Sequence, residues 1–177
     1  MRAMVIFESM FGNTEAVARA VADGLATRMD VDVVHVEAAQ PVLGSDVRLL
    51  VVGGPTHAFG MSRAGTRRAA MDQGAHPTGT ANVGLREWLA DLRRESASVA
   101  GAAFDTRIRK RGVPGSAARG AQKRLRRLGF GIATPARSFY VTGTPGPLLE
   151  GELARAREWG SQLASGVAAS EEGRAVT

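Results

Sequence analysis

The chain's 177 residues, 18.6 kDa in all, suit one domain of ordinary size, which at this length buries about 68–70% of its unfolded surface without help from disulfides or metal. With 44% apolar and 23% charged residues and no uncharged run near the ~18 residues of a spanning helix, disordered and membrane-embedded classes are excluded. There is no cysteine, which removes thiol catalysis, disulfides and thiolate metal sites and leaves any redox work to a bound cofactor.

Met1-Arg2-Ala3-Met4-Val5-Ile6-Phe7 meets Glu8 after a very short apolar run. It reads as a strand rather than a secretory signal, so a cytoplasmic location is expected. Its core, Met4 to Phe7, has the continuous apolar pattern of a strand buried on both faces of a parallel sheet. A polar loop, Glu8 to Thr14, follows. Ala16, Val17, Ala20, Val21 and Leu25 then recur at helical spacing.

Val31 to Val36 predicts a second strand, and Val47 to Val52 a third that ends in Gly53-Gly54-Pro55. One or two helical turns fall near Ala64 to Met71, and a clearer helix over Val83 to Arg94. Val99 to Phe104 is a fourth strand, Ala117 to Leu128 a helix, and a fifth strand lies within Ile132 to Val141. Leu148 to Leu163 closes the chain as a helix. Residues 1–169 are thus read as one domain and 170–177 as a disordered polar tail. Strands alternating with helices imply an α/β fold with a doubly wound, five-stranded parallel sheet.

The loop after the first strand carries the clearest chemistry. Ser9-x-x-Gly12-x-Thr14 at a strand-to-helix junction presents backbone N–H groups, hydroxyls and a helix dipole to one point, which suits a phosphate. It has neither the Walker spacing nor G-x-G-x-x-G. A plainer reading has Asn13 or Thr14 merely capping the helix.

The stretch Val5 to Val21 closely resembles the flavodoxin family's phosphate-loop signature: two apolar residues, an aromatic, a hydroxyl residue, a small residue, Thr, Ala and an aliphatic at fixed intervals. The resemblance implies a sheet of order 2-1-3-4-5 and non-covalent FMN. It assigns the phosphate to Ser9, Met10, Phe11, Gly12, Asn13 and Thr14, in the loop between first strand and first helix. Phe11 stands where many flavodoxins carry a third hydroxyl, and the Ser-Met-aromatic-Gly arrangement is similar to flavodoxin-like quinone reductases. The missing hydroxyl removes one hydrogen bond, worth about 1.5–3 kcal/mol to a charged acceptor.

Pro55-Thr56-His57-Ala58-Phe59-Gly60-Met61-Ser62 resembles the flavin-edge loop of flavodoxin-like reductases. The same resemblance makes Pro55, Thr56, His57, Phe59 and Gly60 cofactor contacts and His57 the candidate proton donor. A structural turn with a buried Phe is the alternative. Asp105 and Thr106, after the fourth strand, are assigned to the ring's pyrimidine edge. The aromatic that stacks there in electron-carrier flavodoxins is absent, which leaves room for a second substrate and a hydride-accepting reductase. His35 and His76 carry no role, and the three histidines show no metal spacing.

The net charge of +6 conceals an asymmetry: Thr106 to Leu149 holds ten Lys/Arg and no acidic residue. Within it, Arg107, Arg109, Lys110 and Arg111 are candidates for an acidic redox partner or for the phosphates of NAD(P)H. Nucleic acid ranks last, because no recognition motif accompanies the charge. A solvated cationic face is the plainer reading. Two functions follow: an FMN-binding protein of electron transfer or flavin-dependent reduction, or a flavodoxin-like scaffold without flavin that docks an anionic partner.

Overall fold

A computed structural model describes residues 1–77, 80–95, 98–109 and 114–175. Strand β1 (Arg2–Phe7) leads through a loop into α1 (Asn13–Leu25), β2 (Asp30–His35) and the short β3 (Val42–Leu43). Next come β4 (Val47–His57), β5 (Gly60–Met61), α2 (Ala64–Asp72), α3 (Leu85–Asp91) and β6 (Arg93–Arg94). The chain finishes with β7 (Ala100–Ile108), α4 (Ala117–Arg127), β8 (Gly131–Ile132), β9 (Arg137–Val141) and α5 (Glu152–Ala175).

The main strands run parallel in the order β2-β1-β4-β7, with β8 and β9 both on the far edge of β7. This is the expected order 2-1-3-4-5. Val5 sits level with Val33 and Val51. Because neighbouring residues of a strand face opposite ways, Leu49 and Val51 pack under α1 and α5 with Val17, Val21 and Leu163. Leu50 and Val52 pack under α3 and α4 with Leu89 and Leu125. Both faces are dry, which is why the strands read as unbroken apolar runs. Helices α1 and α5 meet at Gly24 and Gly160. A Cβ on Gly24 would lie 2.0 Å from the Arg157 carbonyl oxygen, so the close crossing depends on small residues there.

Four elements differ from expectation. β4 does not end at Val52 but continues to His57 and folds back as an antiparallel hairpin with β5, Thr56 opposite Met61. β7 likewise runs on to Ile108: the prolonged β4 pairs it as far as Thr106, level with Pro55, and β9 pairs it on the other side to Ile108, level with Val141. The fifth strand is split in two around Pro135, whose ring nitrogen cannot donate to a ladder. Finally, α5 starts only after Gly151 (φ 80°) and reaches Ala175, so the polar segment from Ser170, expected to be a tail, is helical to that point. No helix among the described residues is long and apolar enough to cross a membrane.

Candidate functional site

The C-terminal ends of β1, β4 and β7 open on one cleft, where a doubly wound sheet places its ligands. The loop leaving β1 turns at Gly12 (φ 85°), which is the N-cap of α1 and contributes no side chain. The Gly12 N–H donates to Ser9 Oγ at 3.1 Å, drawing the loop into a tight curl. Asn13 and Thr14 do not cap the helix. Asn13 Nδ2 donates to the Pro145 carbonyl at 3.1 Å, and Thr14 Oγ1 lies 2.7 Å from Thr106 Oγ1 on β7. The positive end of α1 therefore faces the cleft without a side chain over it.

Met10, Phe11, Asn13, Thr14, Pro55, Thr56, His57 and Thr106 line this cleft, with Arg107 and Ile108 at its edge. Eight of the thirteen residues singled out from sequence thus converge. Ser9 is buried beside them, and Gly12 shapes the loop. Phe59 stands 61% exposed at the tip of the β4–β5 hairpin, followed by Gly60, which pairs with His57. The tip holds Ala58 (φ 42°) and Phe59 (φ 74°) in the left-handed region. Two such non-glycine residues in succession cost roughly 1–2 kcal/mol each, and strain of this kind gathers at functional sites.

Asp105 has a different setting. It is fully buried, and its Oδ2 accepts from Thr56 Oγ1 (2.9 Å), Ser116 Oγ (2.5 Å) and the Ala118 N–H (3.0 Å). An acidic oxygen at the start of α4 complements the helix dipole. Through it Thr56 is held, and Thr56 Oγ1 in turn accepts the Ala117 N–H at 2.9 Å. Asp105 positions the wall of the cleft rather than lining it.

His57 is half-buried, and burial pushes its imidazole below the ordinary pKa; a hydrogen bond to the Thr66 backbone opposes this and the Arg67 charge adds to it. The ring is therefore neutral at pH 7, able to donate from one nitrogen and accept at the other.

Behind the loop lies a buried polar cluster that sequence reasoning missed. Glu8 Oε2 accepts the Leu85 N–H at 2.8 Å. Arg67, 1% exposed, donates to Ser62 Oγ (2.9 Å) and to the carbonyls of Ala81 (2.9 Å) and Asn82 (3.2 Å), and pairs with Glu87 at 3.1 Å. Burial raises Glu8 above the ordinary carboxylate range, while hydrogen bonds from Ser62 and Leu85 and the Arg67 charge pull it back. The cluster ties the end of β1 to α2 and α3. Its only sequence signal is a charged residue directly after a buried strand.

Of the basic candidates, Arg107 lines the cleft and donates to the Gly115 carbonyl at 2.7 Å. The Arg109 guanidinium lies 5.5 Å from the centre of the Tyr140 ring. Lys110 and Arg111 lie outside the described residues. Arg119, Lys123, Arg126 and Arg127 are exposed on α4, and among the described residues no side chain of α4 forms an ion pair. Elsewhere Arg2, Arg48 and Arg157 are paired with carboxylates.

The flavodoxin family model matches residues 5–159, from β1 into α5. The chain belongs to the flavodoxin family. No curated protein matches it. Among solved structures, this flavodoxin is similar to an archaeal flavodoxin with 21% identity and a TM-score of 0.61, over 94% of this chain and 99% of that one. It is similar also to oxidised flavodoxin 1 of Bacillus cereus, with 14% identity and a TM-score of 0.66 over 93% and 98%. A flavodoxin of Streptococcus pneumoniae TIGR4 gives 20% identity and a TM-score of 0.64 over 93% and 99%. At these identities the likeness is one of fold.

Proposed function

We propose that this flavodoxin binds FMN and serves in electron transfer. The observation that carries the reading is the curled loop at the start of α1: a left-handed Gly12 and a helix end with no side-chain cap, with Thr14 lining the cleft and the Ser9 hydroxyl buried beside it. These residues fit a phosphate. A Cβ at Gly12 would meet nothing within 4 Å, so there is open space for an anion against the backbone. The cleft itself holds only about 90 Å³, too little to enclose a whole nucleotide, so most of FMN would lie along the rim. When bound, FMN supplies one- and two-electron redox chemistry.

In this reading the loop amides and hydroxyls hold the phosphate, and the α1 dipole favours its negative charge. Pro55 and Thr56 form the wall for the ring, kept in place by Asp105. His57, neutral and in the cleft, holds a proton within reach of the ring edge. Phe59 and Gly60, on the hairpin tip, bound the ring side. Arg107 and Arg109, followed in the sequence by Lys110 and Arg111, attract an acidic redox partner or the phosphates of NAD(P)H.

A reductase reading draws support from the cleft's composition. Phe11 is the sole aromatic lining it among the described residues, which leaves one ring face open to a second substrate. Mixing the FMN-loaded protein with NADPH separates the two: bleaching by NADPH alone marks a reductase, and bleaching only through an added reductase marks a carrier. An absorption titration with FMN tests the shared premise, and a spectrum unchanged from free FMN contradicts it.

A further inference from the structure

Helix α4 carries its charge on one side. Ala118, Ala121 and Leu125 face the core, while Arg119, Lys123, Arg126 and Arg127 stand exposed on the other side, at the spacing of one helical face. Over the ~12 Å from Arg119 to Arg127 the helix holds no acidic residue. The side chains of these four cations make no hydrogen bond or ion pair among the described residues. Helix stability does not explain the stripe. Arg126 and Arg127, in the last turn, suit the macrodipole, but Arg119 lies in the first turn, where a cation opposes it. Arg119 with Lys123, and Lys123 with Arg127, are like-charge pairs four residues apart, which repel.

The stripe starts at the cleft. The Ala117 N–H donates to Thr56 Oγ1 at 2.9 Å. Gly115, just before the helix, packs against the hairpin tip, since a Cβ there would lie 2.0 Å from the Phe59 carbonyl oxygen. Phe59 and, at the cleft edge, Ile108 are exposed. Apolar side chains bordered by charged ones are the anatomy of a protein–protein interface. The outside of a helix is convex, so it does not enclose a small molecule. The apolar side of α4 is buried in the core, so the helix has none to insert into a bilayer. Phe59 is the one exposed aromatic among the described residues, short of the successive stacking surfaces that single-stranded nucleic acid uses.

We infer that the exposed face of α4 is the docking surface for an acidic electron-transfer protein. The partner's carboxylates lie along Arg119, Lys123 and Arg127, and its apolar contacts meet Phe59 and Ile108 at the mouth of the cleft. The surface extends the attraction of Arg107 and Arg109 along the whole helix, and opposite charges steer and orient the approach. That the partner carries electrons rests on the proposed FMN reading; the place of docking does not.

The test titrates the full-length protein with cytochrome b5, an acidic haem protein, in a calorimeter. No FMN is added, so the result stands apart from that of the FMN titration. The expected result is one-to-one binding whose affinity falls steeply as salt is raised, because exposed charges are screened. Arg119→Glu with Lys123→Glu weakens binding by about tenfold or more, and Arg119→Gln with Lys123→Gln falls between that pair and the parent. Acidic residues suit the start of a helix, so the loss is not a loss of α4, as circular dichroism checks. Phe59→Ser weakens binding by about threefold or more at physiological salt. A single-stranded thymidine oligonucleotide and vesicles of phosphatidylserine serve as the competing anions. The inference is overturned if cytochrome b5 does not bind at low salt, if the Glu pair binds it as well as the parent, if Phe59→Ser changes nothing, or if the oligonucleotide or the vesicles bind more tightly than cytochrome b5 at physiological salt.

Discussion

Thr14 and Thr106 meet hydroxyl to hydroxyl at 2.7 Å across 92 positions of chain. This contact fastens the first turn of α1 to β7, so the proposed phosphate loop and the wall of the cleft move as one body. Thr106→Val leaves the buried Thr14 hydroxyl unpaired. It is expected to cost about 1–3 kcal/mol of stability, read as a lower urea midpoint, and to weaken FMN binding through the misplaced first turn.

Ser9→Ala with Thr14→Ala removes both side-chain hydroxyls of the loop. Each hydrogen bond to a charged acceptor is worth about 1.5–3 kcal/mol, so a fluorescence titration should show FMN affinity falling by more than about tenfold. Arg109→Glu, whose side chain lies over Tyr140, should change it by less than about threefold while weakening an acidic partner or NADPH. Equal losses in both variants would mean that the phosphate sits elsewhere.

Asp105→Ala removes the acceptor shared by Thr56, Ser116 and the Ala118 N–H. A loss of roughly 2–4 kcal/mol in chemical denaturation is expected. Asp105→Asn keeps one acceptor oxygen and should lose less. If Asp105→Ala is as stable as the parent, the Asp105 carboxylate does not anchor Thr56 and α4.

Glu8 and His57 give opposite pH signatures. The Glu8 pKa is raised above 4.5 by burial, so its favourable contribution is present below pH ~4.5 and is lost as pH rises through the folded value. Glu8→Gln should therefore gain stability over the parent progressively as pH is raised toward neutrality. The His57 pKa is lowered below 6.5, chiefly by burial, so its contribution is full above pH ~6.5 and is lost as pH falls through the folded value. His57→Gln should lose less stability than the parent over that acid limb. Melting temperatures measured at several pH values check both, and a parallel pair of curves would contradict the burial of either group.

The parts of this architecture that could be read from sequence are those governed by local periodicity. Met4 to Phe7 and Leu49 to Val52 are unbroken apolar runs because helices cover both faces of the sheet, and the helical spacing of Val17, Val21 and Leu25 marks the buried side of α1. The hairpin was hidden, because Gly53-Gly54-Pro55 carries turn chemistry, whereas the turn itself falls on Ala58 and Phe59, residues that seldom take positive φ. The extension of β7 through Asp105 rests on pairing with the prolonged β4 on one side and β9 on the other, contacts that no local window contains. Glu8 and Arg67 could not be matched from sequence either, since charged residues are usually exposed and these two lie 59 positions apart, brought together by Ser62 and the α3 segment. At the cleft, residue types pointed to the loop correctly, but Asp105's task as an anchor for Thr56 and α4 is visible only in three dimensions.

The central claim is that the curl from Ser9 to Thr14 grips a phosphate, and comparing FMN with riboflavin tests it most directly, because the two share a ring and differ in that group. Parallel fluorescence titrations of the purified protein should show FMN bound at least about a hundredfold more tightly than riboflavin, consistent with two or more charge-assisted hydrogen bonds. Equal affinity for both, or no binding of FMN, would contradict the account.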